Sequence, residues 1–298
     1  MGDLCQVLHR CGLEPEFDTN LDVAAGVDLE PDVLHVLHAR NCVKTMPRVY
    51  PNAIYAAAAP LRQFWYLDPM GVSAFSSIAA AEFDPKALPR ERVQTFFERL
   101  QRRFVRDGVS KLPQPQVRQD FGTGHFAVFL KGAGRDYPGC TVTETEIVQE
   151  LRRQYPDVKV LVKPHPAGSD DTTVQALTAM AAEDAQLHIV DANVHDMLRG
   201  VRACISVAAA VSVDAMMYRV PAVVFARTLF HHNAITLSDV AALRPALEEA
   251  ATQDRPDAEY LFWLLRQNCL DISGKGWKDK AQKQIEAVLE GCGVLVGC

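Results

Sequence analysis

The feature that most constrains this chain is the run Val160-Leu161-Val162-Lys163-Pro164-His165-Pro166, an apolar segment that stops against two prolines. Its aliphatics follow the helix-like stretch Ile147 to Tyr155 and read as a buried strand. Proline lacks an amide hydrogen, fixes φ and disfavours helix in the residue before it. Pro164 and Pro166 therefore force a stiff, non-helical exit from the sheet. Lys163 and His165 then stand at the carboxyl end of a parallel strand, where open α/β sheets bind ligands. Two donors on rigid backbone suit a phosphate or a nucleotide. A rigid loop with a surface histidine accounts for the same residues, so the neighbouring segments must decide.

From about residue 120 onward, strands and helices alternate. Phe126 to Leu130, Val158 to Val162, Leu187 to Val190, Ala203 to Val207 and Ala222 to Phe225 read as strands, the last of these closing the series. Between them lie helices at Ile147 to Tyr155, Thr173 to Ala182, Val194 to Arg199 and Val211 to Tyr218, the first preceded by a Thr143/Glu146 capping box. Short elements in this order require right-handed crossovers and a doubly wound parallel sheet. The earlier residues are less regular. Val33 to His38 and Arg62 to Leu67 are strand candidates, and Arg90 to Val105 is an amphipathic helix with Val93, Phe96, Phe97, Leu100 and Phe104 on its core side. Val109 to Pro115 reads as a connector, and the tail is helical at Ala241 to Ala251, Ala258 to Gln267 and Lys278 to Glu290. The expected organisation is a smaller α/β domain over 1–115 and a nucleotide-binding domain over 116–298 with the C-terminal helices. A cleft lies between them.

Composition narrows the class. With 298 residues, 48% hydrophobic, 23% charged and a net charge of −6, the chain is a globular protein without a broad nucleic-acid surface. Its eight cysteines are scattered without metal-site spacing, which fits reduced thiols in a cytoplasm. No apolar stretch reaches the roughly 18 residues of a membrane helix, while attachment at the inner face of the cytoplasmic membrane stays open. Arg99, Arg102, Arg103 and Arg106 form a helix face that is either solvated or placed to meet anionic lipid or a charged acceptor. His35 and His38, three apart in a strand, point to opposite faces and cannot share a metal. His231 and His232, as a loop pair, can face the cleft.

Three strand ends carry candidate chemistry. The first is Lys131-Gly132-Ala133-Gly134-Arg135-Asp136. Its glycines allow close backbone approach to an anion, and Asp136 is either a nucleophile or base beside the pocket or a turn aspartate. A dinucleotide fingerprint is disfavoured, because the third glycine is missing and the next strand ends in Lys163 where an acid should hold the ribose. The second is the Lys163, His165 and Pro166 loop. The third is Ser206 to Asp214, where small residues lead into a helix. Its free amides, Ser206 and Ser212 could bind phosphate and Asp214 a ribose, or the small residues could simply permit tight packing.

Taken together, the strand–Lys-Pro-His-Pro loop and the later strand, small-residue turn, helix and Val220-Pro221-Ala222-Val223-Val224 resemble bacterial capsule polysaccharide biosynthesis proteins, including the retaining β-Kdo transferases. Tyr66-Leu67-Asp68-Pro69-x-Gly71 with Ser76-Ser77, Val109-Ser110-Lys111 with Gln114-Pro115, and Phe262-Trp263-Leu264 extend the resemblance over about 60–270. It implies a GT-B-like pair of Rossmann-like domains and a CMP-activated sugar as donor substrate, with no cofactor and no metal. The implied partners are a polysaccharide or glycolipid acceptor and companion glycosyltransferase modules. It implies Asp136 as nucleophile, His165 and Lys163 at the donor's cytidine or phosphate, and Gln114 on the cleft. Similar loops occur in sialyltransferases and in transferases of CDP-activated glycerol or ribitol phosphate. The chain departs from the family where Ala208-Ala209-Ala210 replaces a Ser/Thr pair, where Lys131 replaces Gln, and at Thr228 to Asn233. These departures leave two outcomes: a rebuilt donor site that uses Ser206, Ser212 and His231, or a degenerate domain that only binds nucleotide or a partner.

Overall fold

The computed structural model describes residues 2–16, 29–38, 49–132 and 137–293. In chain order the early elements are α1 (Gly2–Arg10), β1 (His35–His38), β2 (Ala53–Ala58), β3 (Phe64–Asp68), α2 (Ser77–Ala80) and α3 (Arg90–Leu100). A π-helical turn, Gln101–Arg106, continues α3. Next come β4 (Phe126–Phe129), α4 (Glu144–Gln154), β5 (Val160–Lys163), α5 (Asp171–Glu183), β6 (Leu187–Ile189), α6 (Val194–Leu198), β7 (Ala203–Ser206), α7 (Val211–Met217) and β8 (Ala222–Val224). The remainder is β9 (Ile235–Thr236), α8 (Leu243–Ala250), α9 (Asp257–Leu261), β10 (Leu270–Asp271) and α10 (Trp277–Gly291).

The chain forms two compact units. One comprises Met1–Ala59, Gln63–Glu82 and Trp263–Cys298, the other Pro60–Arg62 and Phe83–Phe262. The division thus falls at 82/83 and 262/263, where the sequence suggested 115/116. The reason lies in what the apolar stripes cover. The Phe96, Phe97, Leu100 and Phe104 stripe is buried within the second unit, with the Arg219 guanidinium over the Phe97 ring and Phe96 edge-on to Phe262. The face of α10, through Ala281, Ile285 and Leu289, instead joins Val7, Leu8, Ile54, Leu67 and Leu270 in the first unit's core.

The second unit holds a wholly parallel sheet in the order β6-β5-β4-β7-β8-β9, a doubly wound α/β arrangement. Alternation along each strand sorts its side chains to the two faces. Phe126, Val128, Val160, Val162, Ala203 and Ile205 pack with α4, α5 and α8, while Ala127, Phe129, Leu161 and Cys204 pack with α6 and α7. Helix α4 starts on the expected capping box, with Glu146 N–H donating to Thr143 Oγ1 and Thr143 N–H to Glu146 Oε2. The first unit's described sheet, β1-β2-β3-β10, is mixed: β1 runs parallel to β2, and β3 runs antiparallel to both β2 and β10. Asp68 ends β3 fully buried, accepting from the Met70, Gly71 and Ser77 amides and the Ser77 hydroxyl. The Asp-Pro-x-Gly and Ser-Ser segments therefore hold one turn together. No helix among the described residues is long and apolar enough to cross a membrane.

Candidate active site

Across the second sheet, chain order runs outward through β4, β5 and β6 on one side and β7, β8 and β9 on the other, so it reverses between β4 and β7. Loops leaving neighbouring strands at such a point diverge and open a crevice at the carboxyl edge. Register aligns Lys163, Phe129, Ser206 and Val224 in one row across β5, β4, β7 and β8. At about 4.8 Å between strands, the backbones of Lys163 and Ser206 stand about 10 Å apart, with the end of β4 between them. All three sequence-predicted strand ends therefore leave from this edge.

The β4 loop begins at Lys131 and the buried Gly132; Gly134 and Asp136 lie outside the described residues. Beyond them, Pro138 accepts from the Arg227 amide at 2.9 Å, which fastens the loop to the residues that follow β8. Gly139 turns there with φ +74°, and a Cβ in its place would meet Arg227 Cγ at 3.3 Å. The side chain that the sequence did not single out is Glu144. It opens α4, is 5% exposed, and its Oε1 accepts the Lys131 N–H at 2.5 Å. Burial pushes its carboxyl up to about 7, against the pull of the Lys131 amide and ammonium, and Asp170 adds like charge.

Lys163 and His165 take different directions. Lys163 is buried as the last residue of β5, and its ammonium turns to Asp191 beyond β6 at 3.2 Å, not onto an open loop. His165 is half-buried. Its N–H donates to Ser169 Oγ at 2.7 Å, and its Nδ1 accepts from the Ala167 amide at 3.2 Å. That acceptor role assigns the proton of the neutral ring to Nε2. Pro166 is exposed at the tip of the loop.

The third strand end looks inward. Ser206 and Ser212 are fully buried with their hydroxyls 3.4 Å apart, and Ser206 Oγ accepts the Ala209 amide at 3.0 Å. The amides of Ser212 and Val213 donate to the carbonyls of Ala209 and Ala210. These amides, expected to be free for an anion, are thus engaged within the turn, because the helix begins on a tight 3₁₀-like bend. Asp214 is buried in α7, where burial pushes its carboxyl up to about 7 despite the nearby Lys111 charge. The native state therefore holds a proton that the unfolded chain releases near pH 4, so stability falls as pH rises from about 4 to about 7 and is level above that. The shift amounts to about 4 kcal/mol at most. Urea unfolding at pH 5 and pH 8 is expected to show this slope together with a similar one from Glu144, so that Asp214→Asn loses about half of it. Parallel curves for the two proteins would contradict it.

Gln114 is occupied with local structure. Its Nε2 donates to the Leu112 carbonyl at 3.2 Å, and its Oε1 accepts the Val194 amide at 3.2 Å. The rest of the connector is bound along α6 in the same way. Ser110 Oγ lies 2.9 Å from His195 Nε2, whose Nδ1 lies 2.9 Å from the Tyr218 hydroxyl, and Asp196 takes Arg118 and the Gln119 amide. His231 is exposed after β8, with Nδ1 2.9 Å from the Thr228 carbonyl and its ring stacked 4.0 Å from that of His232.

Residues 132–264 match the family described as capsule polysaccharide biosynthesis protein. No curated protein matches the chain. Among solved structures, the beta Kdo 2,7 transferase KpsC of Thermosulfurimonas dismutans is 12% identical, with a TM-score of 0.55 over 96% of this chain and 96% of that one. The beta Kdo 2,4 transferase KpsC of the same organism is 13% identical, with a TM-score of 0.46 over 70% of each chain. The first likeness shows a shared fold.

Proposed function

We propose that this chain is a glycosyltransferase of capsule polysaccharide synthesis, moving β-Kdo from CMP-Kdo onto a bacterial surface polysaccharide or glycolipid with retention at the anomeric carbon. One observation carries the reading: the β4, β5 and β7 loops leave one sheet edge at the point where strand order reverses. In this reading the CMP phosphate lies above that edge and accepts a hydrogen bond from His165 Nε2–H. The Asp136 carboxylate attacks the anomeric carbon, the bond to the CMP phosphate breaks, and CMP leaves with the electron pair. An acceptor hydroxyl then displaces the carboxylate from the sugar ester and gives its proton to solvent water, and two inversions give retention. Developing charge on CMP is stabilised by fixed donors, which need no reorganisation during the reaction.

Calorimetric titration with CMP, against UMP and AMP, tests the donor site. Selective CMP binding is expected, weakened about 10- to 100-fold in His165→Ala, the worth of one hydrogen bond to a charged group. Absence of binding by any of the three nucleotides would sink the donor reading. A second reading, a degenerate domain that binds without turnover, is favoured by Ala208 to Ala210 and by the internal use of the Ser206 hydroxyl. CMP binding with no transfer from CMP-Kdo would select it.

A further inference from the structure

We propose that Glu144 is a positioning residue, whose carboxylate holds the backbone of Lys131 and thereby fixes the point where β4 passes into its glycine loop. A backbone amide at the end of a parallel strand has lost its ladder partner, and an unmatched donor there leaves the chain free to choose several exits. Here the Lys131 N–H is matched by Glu144 Oε1 at 2.5 Å, a charge-assisted bond from the first residue of the helix that follows the loop. The two ends of the β4 loop are therefore tied through one side chain. The capping box holds that side chain's backbone in place, since Thr143 and Glu146 satisfy each other and leave Glu144 to point at the strand.

Among the described residues, three charged groups bear on Glu144. Lys131 at the strand end favours the ionised form, and Asp170, the N-cap of α5, opposes it. Asp239, on the turn before α8 that packs against α4, is directed to the Ala241 amide. Burial dominates and pushes the Glu144 carboxyl up to about 7. The tie is therefore strong above neutral pH, where the carboxylate accepts the amide, and weaker below it, where a neutral carboxyl does. For its kinetic consequence this inference rests on the transferase reading above; for the tie itself it does not.

Two measurements separate the two. Amide hydrogen exchange at Lys131, corrected for intrinsic rates, is expected to show protection rising about tenfold from pH 6 to pH 8 in the wild-type chain and staying level in Glu144→Gln. Protection independent of pH in the wild type overturns the proposal, whether or not the variant folds. The kcat of transfer from CMP-Kdo is expected to rise with the same midpoint near pH 7. Glu144→Gln removes that limb and lowers kcat about tenfold at pH 8, with KM for donor and acceptor within threefold. An unchanged limb in Glu144→Gln overturns the positioning role. Absence of turnover in the wild type, with the exchange result intact, sinks the transferase reading alone.

Discussion

Asp136→Asn is expected to lower sugar transfer by a thousandfold or more while CMP binding stays within about threefold. The amide keeps the shape of the side chain but has no anionic oxygen to form a sugar ester, so the proposed double displacement would lose its nucleophile. An interaction made only in the transition state shows its loss in kcat and not in ground-state affinity. The measurement pairs turnover of CMP-Kdo with calorimetric titration of CMP, and mass spectrometry of the wild-type chain looks for the ester. Transfer within tenfold of wild type would remove Asp136 from the reaction. It would also favour phosphoryl transfer from a CDP-activated alditol, in which His165 serves as base and no carboxylate nucleophile is needed.

The largest stability effect is expected at Arg152, far from any reacting atom. Its guanidinium is 9% exposed and pairs with Asp184 through Nε at 2.7 Å and Nη2 at 3.2 Å. The same group donates to the carbonyls of Tyr155, Pro156 and Val158 at 2.8, 2.6 and 2.6 Å. One planar fork thus closes the end of α4, the turn into β5 and the end of α5. Arg152→Ala leaves a carboxylate and several carbonyls without their donor, at about 3–5 kcal/mol. Arg152→Lys recovers less than half, because an ammonium cannot reproduce the bidentate geometry. Urea midpoints of the three proteins check this, and a loss below about 1 kcal/mol for Arg152→Ala would show that water replaces the network.

Much of the second unit was legible because its strands repeat an aliphatic pattern between turn signals. The capping box at Thr143 formed as read, although α4 opens at Glu144, three residues before the Ile147 that began the expected helix. What escaped had no local signature. β9 spans only Ile235–Thr236, and β2 is the alanine-rich Ala53–Ala58, without the run of β-branched residues that marks a strand. The stripes of α3 and α10 announced that they would be buried but not against which partner, so the unit boundary was misplaced. At the site, the edge and its loops followed from the proline-bounded strand end. The direction of Lys163 toward Asp191, the inward use of Ser206, and the burial of Glu144 depend on neighbours distant in sequence, which no spacing encodes.

The split make-up of the first unit has a consequence for how the chain is made. β10 pairs with β3 through Leu270 and Trp65, about 200 residues apart, and α10 completes the core around Ile54 and Leu67. On the ribosome, 83–262 emerges as one nearly continuous stretch and can close its own sheet while the first unit still lacks its last strand and helix. Until they arrive, β3 offers an unpaired edge and the apolar face of β2 stays wet. The order of assembly is therefore written into the connectivity: the sheet that bears the site is finished first, and the nascent chain is most exposed to aggregation through β2 and β3 in the interval before Leu270 and α10 are synthesised.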